Sequence, residues 1–314
     1  MSKPMILVKR EFWEHRVSFL WLPLVVTALC VFFMLAGLSL SFHDGGVTVS
    51  GGIEHHEDLS SERVEYENMP LQMIVGERIG KFAELPADRK AMMLDRLYLA
   101  VSTPLLLVLW IVVTMYFVGC LYQERKDRSV LFWKSMPVSD FQTVMSKLSA
   151  GMILAPLITL GCLMGLHLAM LIISVFTGAG HGVDVWQTFV APAHLFQRWG
   201  MLMIWLTYYL LWSLPFFCWL VLVSSWARSA PLAWIIGVPV VAGILESILT
   251  AGNSEVIARY IASHVFPEDL KQIMQGGLSA VLRELVSLDY LVSLIVSAVM
   301  LYGAVIFRGK ADEF

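Results

Sequence analysis

The chain has 314 residues, 58% hydrophobic and 15% charged, with a formal net charge of −3. A water-soluble domain carries about a quarter charged residues. This composition, with a mean hydropathy of +0.71, excludes an ordinary soluble domain and indicates a multi-span membrane protein with no nucleic-acid partner.

The first 16 residues are basic, and the apolar run after them is too long for the core of a cleaved signal peptide, so it reads as a retained first span. Within residues 4–16, Met5, Val8 and Phe12 recur at helical spacing, with Lys9, Arg10, Glu11, Glu14 and Arg16 elsewhere. That spacing predicts an amphipathic helix on the membrane surface. Six spans are expected, at about 17–42, 97–121, 148–176, 199–226, 232–251 and 287–307. Between them lie polar segments at 43–96, 177–198 and 252–286. The second half of the first segment has a helical pattern, and the third should form short amphipathic helices broken at Pro267 and at Gly276-Gly277. The expected fold is all-α and integral to the membrane, a single transmembrane domain over 1–314. Continuous apolar runs suit helices, because barrel strands would alternate.

Six spans place both termini on one side. The terminal-side segments hold 12 Lys and Arg in 54 positions, against 10 in 111 on the opposite side. The positive-inside rule therefore puts both termini in the cytoplasm. The opposite face is acidic, with 16 of the 25 Asp and Glu. Cys30, Cys120, Cys162 and Cys218 lie in apolar runs without CxxC spacing, so neither a disulfide framework nor a thiolate metal site is expected.

The stretch Leu121–Ser139, LYQERKDRSVLFWKSMPVS, is a charged island between two apolar runs. Glu124, Arg125, Lys126, Asp127 and Arg128 extend the second span into water. Val130, Leu131, Phe132 and Trp133 form a brief apolar patch. Pro137 disfavours helix before it, and Ser139 or Asp140 can cap a new helix. A short helix, Ser129 to Ser135, is expected across the membrane face, with apolar side chains available to a partner's groove.

The pattern Glu124-Arg125-x-Asp127-x-Ser129, followed by Lys134-Ser135-x-Pro137-Val138-Ser139, resembles the cytoplasmic loop of ABC-2-type transporter permeases. Arg128 departs from that pattern, where glycine is common, and the 54-residue first outer segment is long. The resemblance implies a permease of the bacterial cytoplasmic membrane, paired with a second copy or a paralogue and held by a cytoplasmic ATPase subunit. ATP and Mg would sit on that partner. Glu124, Arg125, Asp127, Arg128, Ser129, Phe132, Trp133, Lys134 and Pro137 would form the coupling contact. The chain itself shows no nucleotide motif: Gly76–Phe82 is one residue short of a phosphate loop and lacks Ser or Thr after Lys81. No cofactor, metal or catalytic residue of its own is expected.

Within the spans, Trp205, Trp212, Trp219 and Trp226 recur every seven residues, which on a straight helix is one face. With Glu246 in the fifth span, Trp205, Trp212 and Trp219 are candidates for a substrate pathway toward an amphipathic or lipidic molecule. Interhelical packing, or pairing of Glu246 with the outer segment, is the alternative. His167 is expected as a hydrogen-bonded packing residue, and Gly161 and Gly165 permit close helix approach. The patch 54–58 lacks the spacing of a zinc peptidase. The function the resemblance implies is export of a substrate by alternating access; a non-transporting membrane sensor or scaffold using its outer segments is the alternative.

Overall fold

The computed structural model describes residues 3–42, 48–55, 62–251, 256–265 and 270–310. Helix α1, Lys3–Glu14, leads through a wide i→i+5 turn at Val17–Trp21 into α2, Leu22–Phe42. Strands β1, Thr48–His55, and β2, Glu62–Pro70, form an antiparallel hairpin. Helices α3, Leu71–Glu84, and α4, Ala87–Gly119, follow. Two short helices, α5, Tyr122–Lys126, and α6, Ser129–Lys134, precede α7, Asp140–Ser149. A second wide turn, Ala150–Leu154, joins α7 to α8, Ala155–Gly180. A third, Trp186–Val190, precedes α9, Ala191–Ala193. Helices α10, Leu195–Trp212, α11, Leu214–Trp226, and α12, Pro231–Leu249, complete the middle of the chain. The last are α13, Val256–Val265, α14, Leu270–Leu285, and α15, Leu288–Gly309.

Among the described residues, five helical stretches are long and apolar enough to cross a membrane: Val17–Ser39, Ala87–Lys126, Asp140–Gly180, Pro231–Leu249 and Leu288–Gly309. A sixth is reached if Trp186–Trp212 and Leu214–Trp226, bent by 51° at their junction, count as one. The break has a local cause. Ser213 leaves helical geometry (φ −81°, ψ 6°), and Pro215 follows inside the first turn of α11. Proline has no N–H for the carbonyl four residues back, and its ring crowds that carbonyl. The expected straight span 199–226 is therefore two helices at an angle.

The expectation of helix alone is corrected at residues 48–70. In β2, Val64 and Tyr66 alternate with Arg63, Glu65 and Glu67, a period of two that suits a strand. Ile53 pairs with Val64, and the register slips between Val49 and Gly51. In the third polar segment, α14 breaks at Gly277, which takes a φ of +61°, while Pro267 lies outside the described residues.

The chain groups into two compact units, each built from separate segments. The first comprises Met1–Pro23, Leu107–Leu160 and Trp199–Phe314. Its core holds Val113, Phe117, Val144, Phe217, Leu220 and Val221, all 1% exposed or less. Helix α11 runs along α15, and at their crossing a Cβ on Gly303 would lie 3.1 Å from Leu222. The Phe117 ring occupies the space where a side chain at Gly151 would stand, so the second wide turn needs glycine there. By contrast, α12 has no buried residue.

The second unit comprises Leu24–Leu106 and Gly161–Arg198. Leu105, Leu163 and Leu166 pack with Val26, Val31 and Val101 in one cluster. Leu94, Tyr98, Met170 and Ala193 form another. His167 is fully buried, with Nε2 2.8 Å from Ser102 Oγ and its ring edge-on to Tyr98. The Arg198 guanidinium lies over the Tyr98 ring at 4.3 Å and donates to the Ala193 carbonyl. Nothing lies within 4 Å of where side chains on Gly161 and Gly165 would begin, so no described residue uses the close approach they permit.

Candidate functional site

The charged island folds as expected in outline. Helix α6 ends at Lys134, and Ser139 caps α7. The Ser139 hydroxyl accepts from the Gln142 N–H while the Gln142 side chain accepts from the Ser139 N–H, a reciprocal capping box. Between α5 and α6, Arg128 takes a φ of +56°. That left-handed conformation suits glycine and is costly for a residue with a Cβ.

Two adjacent residues of α5 fasten it to different parts of the first unit. Arg125 Nη2 donates to the carbonyls of Ser224 and Ala227, each at 2.8 Å. These are orphan acceptors at the end of α11, where the helix dipole also favours a cation. The Ser224 hydroxyl in turn accepts from the N–H groups of Leu121 and Tyr122, both at 3.0 Å. Glu124 points the other way. Its carboxylate lies 3.0 Å from Arg10 Nη2, 3.0 Å from Lys147 Nζ and 3.6 Å from Arg308 Nη2.

Glu124 thereby joins a buried ionic cluster. Glu11 is fully buried; its two oxygens accept from Lys147 Nζ at 3.0 and 3.2 Å, and one also accepts from the Tyr116 hydroxyl at 2.9 Å. Arg308, itself buried, also pairs with Asp140. Three cations, Arg10, Lys147 and Arg308, face three anions, Glu11, Glu124 and Asp140, and a fourth, the more exposed Glu14, pairs with Arg10 at 3.2 Å on the margin. Isolated charges could not remain in such a place. Burial alone would raise the Glu11 carboxyl, but Lys147 and Arg10 beside it bring it below its ordinary value. Burial likewise opposes the Arg10 charge, and Glu11, Glu14 and Glu124 outweigh it, raising the guanidinium above its ordinary value. On the margin of the cluster burial wins, raising the Glu14 carboxyl and lowering the His15 imidazole.

This changes the reading of α1. The buried face is Leu7 and Glu11, one turn apart, whereas Met5, Ile6 and Trp13 are exposed. The helix keeps an apolar face outward and turns a carboxylate inward, because Lys147 waits there. Glu11, Glu14 and His15 bring ligand atoms within 4.8 Å of one another, but both Glu11 oxygens are already engaged by Lys147 and Tyr116.

The remaining island residues divide. The Trp133 ring lies under the Arg10 guanidinium at 3.9 Å, which holds it against α1. Val130 is buried. The Ser129 hydroxyl donates to the Glu124 carbonyl, and Asp127 closes the end of α5. Phe132 (59% exposed), Met136 and Pro137 face outward, with Phe132 edge-on to Trp133 at 5.0 Å. The side chain of Lys134 lies outside the described residues. Of the nine residues expected at a coupling contact, Glu124, Arg125 and Trp133 are thus spent on the chain itself.

The candidates in the spans are separated by the bend. Trp212 Nε1 donates to the Ser263 carbonyl at 2.9 Å, and Trp219 Nε1 to the Ile235 carbonyl at 3.3 Å. Trp226 meets Trp234 edge-on. Trp205 is half-buried, its Nε1 without a hydrogen-bond partner among the described residues. The 51° bend between Trp212 and Trp219 removes the straight helix on which the seven-residue spacing would make one face. Trp219 does line a pocket of about 240 Å³, with Phe216, Ile235, Tyr260, His264 and Met300 among its walls. The Glu246 oxygens accept from the N–H groups of Val256 and Ile257 at 2.7 and 2.9 Å. A carboxylate there satisfies orphan donors at the start of α13. In the patch 54–58, Glu54 and His55 end β1, and 56–58 lie outside the described residues.

Sequence reasoning passed over Glu11, Lys147, Asp140 and Arg308. The available signal was an acidic residue one turn after Leu7 in a helix otherwise rich in cations. No family model, no curated protein and no solved structure matches the chain, so the case for its function rests on its own residues.

Proposed function

We propose that the chain is the membrane subunit of an ATP-driven transporter, with the island as the contact through which a separate ATPase moves it. One observation carries this reading. The island is fastened on its inner side by Glu124 and Arg125, yet leaves Phe132, Met136 and Pro137 exposed on the other. A short helix so mounted can pass a push to the helices behind it while its apolar side chains fill a partner's groove. The left-handed Arg128 adds support, since the resembling loops commonly carry glycine at that position. In this reading both termini are cytoplasmic, a second copy or paralogue completes the transporter, and the spans export their substrate by alternating access.

Because Trp133 is engaged with Arg10, the test falls on the exposed Phe132 and Met136. The full-length chain is purified from membranes of its source cells under mild detergent, and co-purifying ATPase is identified and assayed. Phe132→Ala with Met136→Ala should remove most of the associated ATPase while the chain stays folded. An ATPase retained and stimulated to the same degree by that variant rejects the assignment.

A further inference from the structure

The buried Leu7 and Glu11 fix which side of α1 faces in, and so decide what it turns out. Helical geometry continues past α1 to Arg16 (φ −55°, ψ −31°). Each residue of a helix turns the next by about 100°. On that count Met5, Ile6, Lys9, Trp13 and Arg16 fall within about 100° of one another, on the side away from Leu7 and Glu11. All five are exposed.

The carboxylates of α1 are spent elsewhere. Glu11 is buried against Lys147, and Glu14 pairs with Arg10. Between Met5 and Arg16 the outward face therefore carries two cations and no anion. Lys9 and Arg16 are seven residues apart, about 10 Å along the axis and within about 20° of the same direction. Trp13 stands between them, and the Arg16 guanidinium lies 5.9 Å from the centre of its ring. The next residue, Val17, begins a stretch able to cross a membrane. Val17, Trp21 and Leu22 carry the exposed apolar surface onward into that stretch. The face is thus at the end of a span, where hydrocarbon gives way to headgroups. Tryptophan rings and the long stems of Lys and Arg are at home in that zone.

We propose that this face is a binding site for anionic phospholipid: Lys9 and Arg16 pair with the charged headgroups while Met5, Ile6 and Trp13 enter the acyl region beside them. Each part of the face narrows the choice. Two cations alone would suit an acidic protein as well; the apolar side chains among them, next to a span, select a lipid. The apolar side chains alone would take any lipid; the cations select an anionic one. Near an anionic bilayer surface each such cation favours binding by about fivefold, so the pair is expected to give about 25-fold at low salt. Arg10 of the same helix reaches Glu124 and Trp133 of the island, so α1 meets lipid on one side and the island on the other. Which leaflet it meets rests on the proposed topology; the lipid preference does not.

The test uses the full chain in bilayers with Trp13 as reporter, and needs no ATPase. Lipids with brominated acyl chains quench indole fluorescence on contact. The Trp13 signal is the difference between wild type and Trp13→Phe. Its quenching by brominated phosphatidylglycerol in plain phosphatidylcholine is compared with the reverse mixture. Wild type should prefer the anionic lipid by about fivefold to 25-fold at low salt. The preference should shrink toward one at about 1 M salt, where screening acts within about 3 Å. Lys9→Gln with Arg16→Gln, each measured against its own Trp13→Phe reference, should lose the preference; Lys9→Arg with Arg16→Lys should keep it. If the double neutralisation fails to fold, either single one should lose about fivefold. Equal quenching by both lipids in wild type, no quenching by either, or a preference that survives neutralisation overturns the proposal.

Discussion

Two short helices of the first unit, α1 and α13, are fastened to the spans by opposite means. Helix α1 is held by charge: the buried Glu11 and Lys147 pair, and the partly buried Arg10 and Glu124 close around them. Helix α13 is held by the His264 ring near its end, stacked on Trp212 and close to Tyr260, and by hydrogen bonds to its terminal groups. The two designs fail differently. A buried ionic pair is costly to break, because whichever charge remains is buried alone. An aromatic and hydrogen-bonded clasp loses only the contact that is removed. Charge therefore suits an attachment that must stay rigid, and the aromatic clasp suits one that can let go.

The largest effect should come from unbalancing α1. Lys147→Met leaves Glu11 and Glu124 with Arg10 as the one cation they still share and should cost about 3–5 kcal/mol, read as a loss of thermal stability in detergent. Adding Glu11→Gln should return part of that loss; a double variant no better than the single one would break the contrast. The same cluster sets an acid limit. A depressed carboxylate contributes stability that is full above the ordinary carboxyl value and is lost as pH falls through the folded one. Wild type should therefore lose more stability than Glu11→Gln between neutral pH and about pH 3.

A smaller effect is expected at α13. Glu246→Ala removes an acceptor from two helix N–H groups and should cost about 0.5–2 kcal/mol, in the range of lost N-caps. Its signature is faster hydrogen exchange confined to α13, not a global fall in stability. The smallest effect concerns the island. Arg128→Gly relieves a left-handed residue and should stabilise by up to about 1 kcal/mol, with thermal unfolding as the readout. A destabilised variant would mean that the arginine side chain contributes more than its backbone costs.

Much of this frame was readable before folding. Long apolar runs located the helices, Ser129 and Ser139 marked a short helix and a cap, and Gly277 marked a break. The functional details were hidden for physical reasons. Glu11 and Lys147 are 136 residues apart, and nothing local shows that a carboxylate on an amphipathic helix faces inward. The seven-residue tryptophan spacing assumed a straight helix, whereas Pro215 supplies a bend. In the hairpin, Gly51-Gly52 hid β1, because two glycines in eight residues read as a loop. Glu246 resembled a buried functional charge until the start of α13 was found on its oxygens.

The opposed directions of Glu124 and Arg125 carry one more consequence. On a helix, each residue turns the next by about 100°, so these neighbours reach different helices only while their phase is kept. Arg125 has the carbonyls of α11 in hand, and Glu124 has Lys147 of α7 and Arg308 of α15. A substitution can loosen one grip and spare the other. A single inserted residue between them would rotate one grip away from its partners. The length of this five-residue helix is therefore under tighter constraint than its composition, and it should tolerate changes of residue more readily than changes of spacing.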